Sequence, residues 1–280
     1  MPDRRALANG TVSASQAEMF HAVIVGINHY ADDKIRDLEF ARADAEALAA
    51  LLNERVDGSR QVTLLVDDCA TKARITRVMT EELPRLVGKD DDLLVYFAGH
   101  GSPEVDAACG EPSIHAVMHD TDYKRLSVTA INLVSELSAW VRRIDARSIT
   151  VVLDASFNGA AGGRTFEGPG LWSGPRVRHL DRVSLNRLAF GSRAALLTAC
   201  SDKEGANEEP SYRHGVFTHH LLDVLARAPV GAVSLGSVHE TVAGAVQFAT
   251  NGAQNPALHG SRSTLPMLRL APVAAASAAS

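Results

Sequence analysis

The chain has 280 residues, of which 46% are hydrophobic and 22% charged, as in ordinary soluble globular proteins. Its 28 basic and 33 acidic side chains give a formal net charge of −5, which gives no electrostatic reason to expect nucleic acid or a membrane surface as a partner. No apolar run approaches the roughly 18 residues that span a bilayer, and no secretory signal is recognised. Three cysteines far apart in sequence favour a reducing, cytoplasmic setting and argue against a disulfide framework or a thiolate metal site.

Strands and helices are predicted to alternate along the chain. Short apolar or β-branched runs predict strands at 21–26, 62–66, 92–98, 148–154, 194–200 and 264–270. Between them, apolar side chains at spacings of three and four predict helices, and Thr71 and Asn132 are predicted to cap two of these. This alternation predicts an α/β fold with a mostly parallel sheet covered by helices on both faces, and the strand at 264–270 could close that sheet.

The chain is predicted to form one domain over residues 21–270, with a flexible segment at 1–20 and a disordered tail at 271–280. Residues 159–192 interrupt the alternation, because they contain seven glycines and two prolines without a regular period. Long loops inside compact domains are usually functional or mobile. We therefore expect a mobile loop at this place.

Two strand ends carry side chains suited to catalysis. His100 follows the strand at 92–98 and lies between two glycines, and Ser156 follows the strand at 148–154 together with Asp154. Ligands of open α/β sheets bind at the carboxyl ends of the strands, so two adjacent strands would place a nucleophile and a base in one crevice. The alternatives are a structural histidine and an ordinary capped turn.

These strand ends resemble the two catalytic motifs of the caspase clan. The segment 97–102, Phe-Ala-Gly-His-Gly-Ser, is similar to the histidine motif, and 152–160, Val-Leu-Asp-Ala-Ser-Phe-Asn-Gly-Ala, is similar to the nucleophile motif Asp-x-Cys-x-Ser-Gly. Further similarities lie at 25–28, 43–45 and 197–201, in the family's order over 21–270. The sequence most resembles bacterial caspase-like peptidases, the metacaspases and orthocaspases. This implies a three-layer caspase-like fold with about six strands.

The resemblance also implies roles for individual residues. His100 would be the general base and acid, position 156 the nucleophile, and the main-chain N–H groups of Gly101 and Ser156 the oxyanion hole. Asp44 and Asp154 would hold the side chain before the cut bond, which implies protein or peptide substrates cut after Arg or Lys. Alternatively, Asp44 is a solvated helix residue. No cofactor is implied, and the carboxylates after the histidine motif are too scattered to predict a calcium site.

The main departure from the family is Ser156, because the pattern has cysteine at that position. A hydroxyl is far less acidic than a thiol and needs a well-aligned base, so the chain as written is expected to be inactive or nearly so. Three explanations remain open: an introduced Cys→Ser replacement, a natural pseudo-peptidase that only binds, and a working serine enzyme. Asn158 is a second and milder departure.

The loop at 159–192 is rich in arginine, at the place where caspase relatives are cut to mature. An Arg-directed site next to such a loop predicts self-cleavage, and the alternative is a basic surface loop. The residues after which the chain could cut itself are Arg164, Arg176, Arg178 and Arg182.

The leading hypothesis is thus an Arg/Lys-directed cysteine endopeptidase, with a role in bacterial stress, cell death or antiviral defence implied by the resemblance. The second is a silent binding module that recruits a regulatory protein partner through the same crevice. A flavodoxin-like binder or a serine hydrolase is disfavoured, because no Gly-x-Ser-x-Gly elbow and no phosphate loop is present in the sequence.

Overall fold

The computed structural model of the protein describes residues 18–105, 112–157, 163–166, 193–201, 203–260 and 266–272. The strands are β1 (Met19–Gly26), β2 (Ser59–Val66), β3 (Asp92–Ala98), β4 (Gly101–Val105), β5 (Pro112–Ala116), β6 (Ile131–Asn132), β7 (Ser148–Asp154), β8 (Ala194–Thr198), β9 (Glu208–Glu209), β10 (His214–Gly215), β11 (Gly231–Ser234), β12 (Ala257–His259) and β13 (Pro266–Leu270).

The α-helices are α1 (Ala41–Arg55), α2 (Lys72–Arg77), α3 (Leu83–Leu86), α4 (Leu126–Thr129), α5 (Ser138–Arg143), α6 (Val216–Arg227) and α7 (Leu235–Ala249). A π-helical turn, Val78–Glu82, joins α2 to α3, and a second π-helical turn, Leu133–Leu137, leads into α5. Both predicted caps are confirmed. The Thr71 side chain accepts a hydrogen bond from the Arg74 N–H, and the Asn132 side chain accepts hydrogen bonds from the N–H groups of Val134 and Ser135.

The central sheet has six strands in the order β12-β8-β7-β3-β1-β2. All neighbouring pairs are parallel except β12 with β8. Every residue of β3 and β7 is buried, which is why both strands read as continuous apolar runs in the sequence. The predicted α/β class and the strand number are confirmed.

Helices cover both faces of this sheet and divide the core in two. One cluster packs Val23, Val95 and Val151 against Met79 and Trp140 of the α2–α3 and α5 side. The other packs the alternate side chains of the same strands against α1, α6 and α7. Within the described part of the chain, no helix has the length and apolar character needed to cross a membrane.

Two sequence predictions need correction. Strand β1 begins at Met19, so the last two residues of the segment predicted as flexible, 1–20, belong to the sheet. Strand β13 pairs with β11 and not with the central sheet, whose edge is formed by β12 instead. Within the loop predicted as mobile at 159–192, residues 163–166 are held beside Gly101 through an isolated parallel bridge at Thr165. The tail predicted at 271–280 lies outside the described residues from 273 onward.

Candidate active site

The two strand ends singled out by the sequence lie side by side. β3 and β7 are parallel neighbours, and their last residues, Ala98 and Asp154, are register partners. His100 and Ser156 therefore follow at the same edge of the sheet. The main-chain N–H groups of Gly101 and Ser156 both donate to the carbonyl oxygen of Arg164, at 2.9 and 3.2 Å. The structure thus brings the predicted histidine, nucleophile position and N–H pair to one place.

The position of Gly101 allows this close approach. A Cβ atom added to Gly101 would lie 2.3 Å from the Ser156 carbonyl oxygen and 2.5 Å from the Phe157 ring. No other residue could therefore bring its main-chain N–H to this point without moving the turn after β7.

The imidazole of His100 is held in one tautomer. Its Nε2 lies 2.8 Å from the carbonyl oxygen of Arg36, and its Nδ1 has no hydrogen-bond partner among the described residues. A carbonyl oxygen only accepts, so Nε2 carries a hydrogen, and in the neutral ring Nδ1 then keeps its lone pair. Tyr30 supports the turn, because its ring stacks on the imidazole and its hydroxyl accepts from the His100 N–H at 2.9 Å.

Burial lowers the pKa of His100 to about 4, since the charged form would lose its solvent. The ordinary value is 6.5, so between these two values the unfolded chain binds more protons than the folded chain. Stability from this residue is therefore present above pH 6.5 and is lost as the pH falls.

Acidification from pH 7 to pH 5 should accordingly cost about 2 kcal/mol of unfolding free energy through His100 alone. Urea unfolding of the chain and of a His100→Gln variant at both pH values measures this. The difference between the two proteins isolates His100, because every other titrating group is common to both. An equal pH dependence in both would contradict the inferred neutral form.

The Ser156 hydroxyl does not point its hydrogen at the histidine. It is fully buried and donates to the carbonyl oxygen of Glu204 at 2.8 Å. The same oxygen lies 3.4 Å from the Cys200 Sγ. No hydrogen bond joins the side chains of Ser156 and His100, both of which belong to the described residues. A hydroxyl in this state is not activated for attack.

A buried acidic pocket lies next to the two strand ends. Asp44 of α1 and Asp154 of β7 are both fully buried, so the alternative interpretation of Asp44 as a solvated helix residue is wrong. The guanidinium of Arg164, itself fully buried, lies between them, with Nη2 2.5 Å from the Asp44 Oδ2 and Nη1 2.9 Å from the Asp154 Oδ2. The structure thus places the two predicted carboxylates around an arginine of the same chain.

A third carboxylate, Glu208 of β9, completes the pocket. Its Oε1 lies 3.0 Å from Nη2 of Arg164. Sequence reasoning missed this residue, since Glu208 stands in a short polar stretch with no strand end or motif around it. Gly215 forms the pocket wall, where a Cβ atom would lie 2.9 Å from the guanidinium carbon of Arg164.

The pocket carries more negative than positive charge. Asp44, Asp154 and Glu208 face one guanidinium, although His214 also contacts Asp44, with Nδ1 2.7 Å from Oδ1. Burial raises the pKa of Asp154 to about 6, against the opposing effect of Arg164. A pocket of this charge suits a cation and disfavours an acidic side chain.

Residues 163–166 lie in the site as a short extended segment. The Arg164 N–H donates to the carbonyl oxygen of Ala206 at 2.8 Å, and the Phe166 N–H donates to that of Gly101 at 2.8 Å. Main-chain hydrogen bonds therefore hold the segment before and after Arg164. Of the four arginines proposed for self-cleavage, Arg176, Arg178 and Arg182 lie outside the described residues.

The comparisons agree on the fold and the family. The family model described as Caspase domain matches residues 19–267. A protein from Geobacter sulfurreducens of known structure is 20% identical with a TM-score of 0.64, over 90% of this chain and 97% of that one. Caspase-1 from Spodoptera frugiperda is 14% identical with a TM-score of 0.60, over 91% of each chain. No match was found among curated protein sequences. The two structures establish the fold, and because the domain model spans most of the sequence, the chain belongs to the caspase-domain family of peptidases.

Proposed function

We propose that this protein is an endopeptidase directed to arginine or lysine, which acts by cysteine–histidine chemistry when position 156 carries a thiol. One observation carries the proposal. The side chain of Arg164 occupies a pocket of three carboxylates, while its carbonyl oxygen accepts hydrogen bonds from two converging N–H groups. This is the arrangement expected of a substrate residue whose following peptide bond is to be cut.

The residues have complementary tasks in this reaction. Nδ1 of His100 takes the proton of the thiol at position 156, and the sulfur bonds to the carbonyl carbon of the bound arginine. The carbonyl oxygen takes the negative charge, which the N–H groups of Gly101 and residue 156 stabilise. The C–N bond then breaks, and His100 gives its proton to the leaving amine. Water hydrolyses the thioester and restores the thiol.

The pocket favours arginine over lysine and excludes acidic side chains. A guanidinium offers donors in several directions and contacts Asp44, Asp154 and Glu208 at once. An ammonium is a single point and reaches fewer of them. A carboxylate in this pocket would be buried beside three like charges.

An assay on matched peptides tests the proposal. Ser156→Cys should cleave fluorogenic Arg peptides at least about 10³-fold faster than the Ser156 chain, with Lys peptides slower and Asp peptides uncut. His100→Ala in the cysteine background should abolish the activity. Cleavage that survives this change, or a preference for Asp, would contradict the proposal.

We also propose that Arg164 is the residue after which the chain first cuts itself. Residues 163–166 supply the main-chain contacts of a bound peptide, and the arginine fills the cation pocket. A substrate from outside must displace this tethered segment. Self-cleavage after Arg164 would release the tether and let external chains enter.

The second candidate is a binding module without catalysis. It is favoured by Ser156, whose hydroxyl donates to the Glu204 carbonyl oxygen rather than to His100. A Ser156→Cys variant that binds Arg peptides but never cuts them would support this candidate.

A further inference from the structure

The loop between β1 and α1 brings one side chain to the peptide that occupies the site. Arg36 lies in this loop, and its carbonyl oxygen is the partner of His100 already described. Its guanidinium reaches in another direction. Nη2 donates to the carbonyl oxygen of Gly163 and lies 3.4 Å from that of Thr165. These carbonyls belong to the residues immediately before and after Arg164.

We propose that the Arg36 guanidinium is a positioning group, which binds the main-chain carbonyls on both sides of the residue in the acidic pocket. The inference rests on the proposed endopeptidase function and adds to it how the peptide main chain is aligned. Carbonyl groups are present in every peptide, so this contact recognises a continuous chain whatever its side chains are. Because the peptide is held at the carbonyls on both sides, the carbonyl oxygen between them stays directed at the N–H groups of Gly101 and Ser156.

The positive charge of Arg36 is not paired with any carboxylate of the described residues. By contrast, Arg42, six residues later, forms ion pairs with Glu46 and Asp67. Arg36 is also exposed, although both of its carbonyl contacts fall at the site. Hydrogen bonds from a charged donor to carbonyl oxygens are stronger than neutral ones.

The main chain of this loop is fixed independently of the Arg36 side chain. Ile35 and Leu38 are buried, and the Leu38 N–H donates to the Asn28 carbonyl oxygen at 2.9 Å. The Asp37 carboxylate accepts from the Tyr30 N–H at 3.2 Å. Truncating the Arg36 side chain therefore leaves its carbonyl oxygen beside His100 and removes only the hydrogen bonds from its guanidinium to the peptide carbonyls.

Two substrates distinguish the Arg36 hydrogen bonds to the peptide carbonyls from other effects of the substitution. One is a peptide that continues past the cut, with the order Gly-Gly-Arg-Thr-Phe found at 162–166, and the other is a dye amide of Gly-Gly-Arg, which has no carbonyl after the cut. In the Ser156→Cys background, Arg36→Ala should lower kcat/KM about 10- to 100-fold on the peptide, mainly through KM, and clearly less on the dye amide. Arg36→Lys should restore part of the loss on the peptide.

The matched control is Lys34→Ala, which removes an exposed cation of the same loop, packed over the Tyr123 ring. It should leave both substrates unchanged. The acid limb of the pH profile should also be unchanged in Arg36→Ala, since the His100 partner is a main-chain atom. Equal losses on both substrates, no loss on the peptide, or the same loss in Lys34→Ala would overturn the inference.

A binding measurement keeps the inference separate from the proposed function. In Arg164→Ala, which vacates the pocket, a fluorescent copy of residues 160–166 should bind with a Kd about 10-fold or more lower than in Arg36→Ala/Arg164→Ala. If Ser156→Cys cuts no substrate but this difference is found, the endopeptidase proposal fails and the role of Arg36 stands. If cutting occurs and the difference is absent, the opposite holds.

Discussion

The chain with cysteine in place of Ser156 is expected to be recovered as two pieces, one ending at Arg164 and the other beginning at Thr165. The reason is that this bond already lies in its own site. The Arg164 carbonyl oxygen accepts from the Gly101 and Ser156 N–H groups, and its guanidinium contacts Asp44. A reaction whose parts are prearranged in one chain needs no encounter step.

Mass spectrometry of the purified variant measures this cut. Its rate should be independent of protein concentration, because the segment occupies the site of its own chain. Adding Arg164→Ala or His100→Ala should leave the chain intact at this bond, and Arg164→Lys should slow the cut. A chain cut only after Arg176, Arg178 or Arg182, or not at all, would count against Arg164 as the first site.

Loss of the buried arginine should strongly destabilise the chain. In the Ser156 chain, Arg164→Ala is expected to lower the free energy of unfolding by about 3–5 kcal/mol, because it leaves buried carboxylates without their cation. Asp44 and Asp154 are fully buried, and no second arginine or lysine among the described residues pairs with either. Without Arg164 the pKa of Asp154 would rise further. Chemical or thermal unfolding measures the loss.

The matched control is Arg193→Ala, since the Arg193–Asp145 pair is exposed and should contribute no more than about 1 kcal/mol. Small guanidinium compounds such as agmatine should raise the Tm of Arg164→Ala by refilling the pocket, and should leave the Tm of the parent unchanged. Arg164→Lys should lose less stability than Arg164→Ala. Equal losses in Arg164→Ala and Arg193→Ala would contradict a buried cation pocket.

Much of the fold could be predicted from local patterns. The bounds of β3 and β7 agree residue for residue with the predicted strands, because central parallel strands must be apolar along their whole length. Thr71 and Asn132 were identifiable as caps because a cap acts within three residues of itself. β13 was assigned to the wrong sheet, since the apolar run gives a strand but does not name its partner.

Only part of the site could be predicted by the same reasoning. His100 and Ser156 stand directly after strands, where sheet topology itself brings side chains together. Glu208 stands in the two-residue strand β9 and Arg36 in a loop, with no sequence pattern around either, and each reaches Arg164 or its neighbours from far along the chain.

The sequence by itself therefore determined the alternation of strands and helices, the caps, and the two strand ends that carry the histidine and the serine. These depend on spacing and on neighbours within a few residues. Only the tertiary structure decided that Asp44, Asp154 and Glu208 surround Arg164, and that burial keeps His100 neutral while the Arg36 carbonyl oxygen fixes its tautomer. Residues 44 and 164 are 120 positions apart, and a contact over that distance is set by how the layers pack, which no local pattern records.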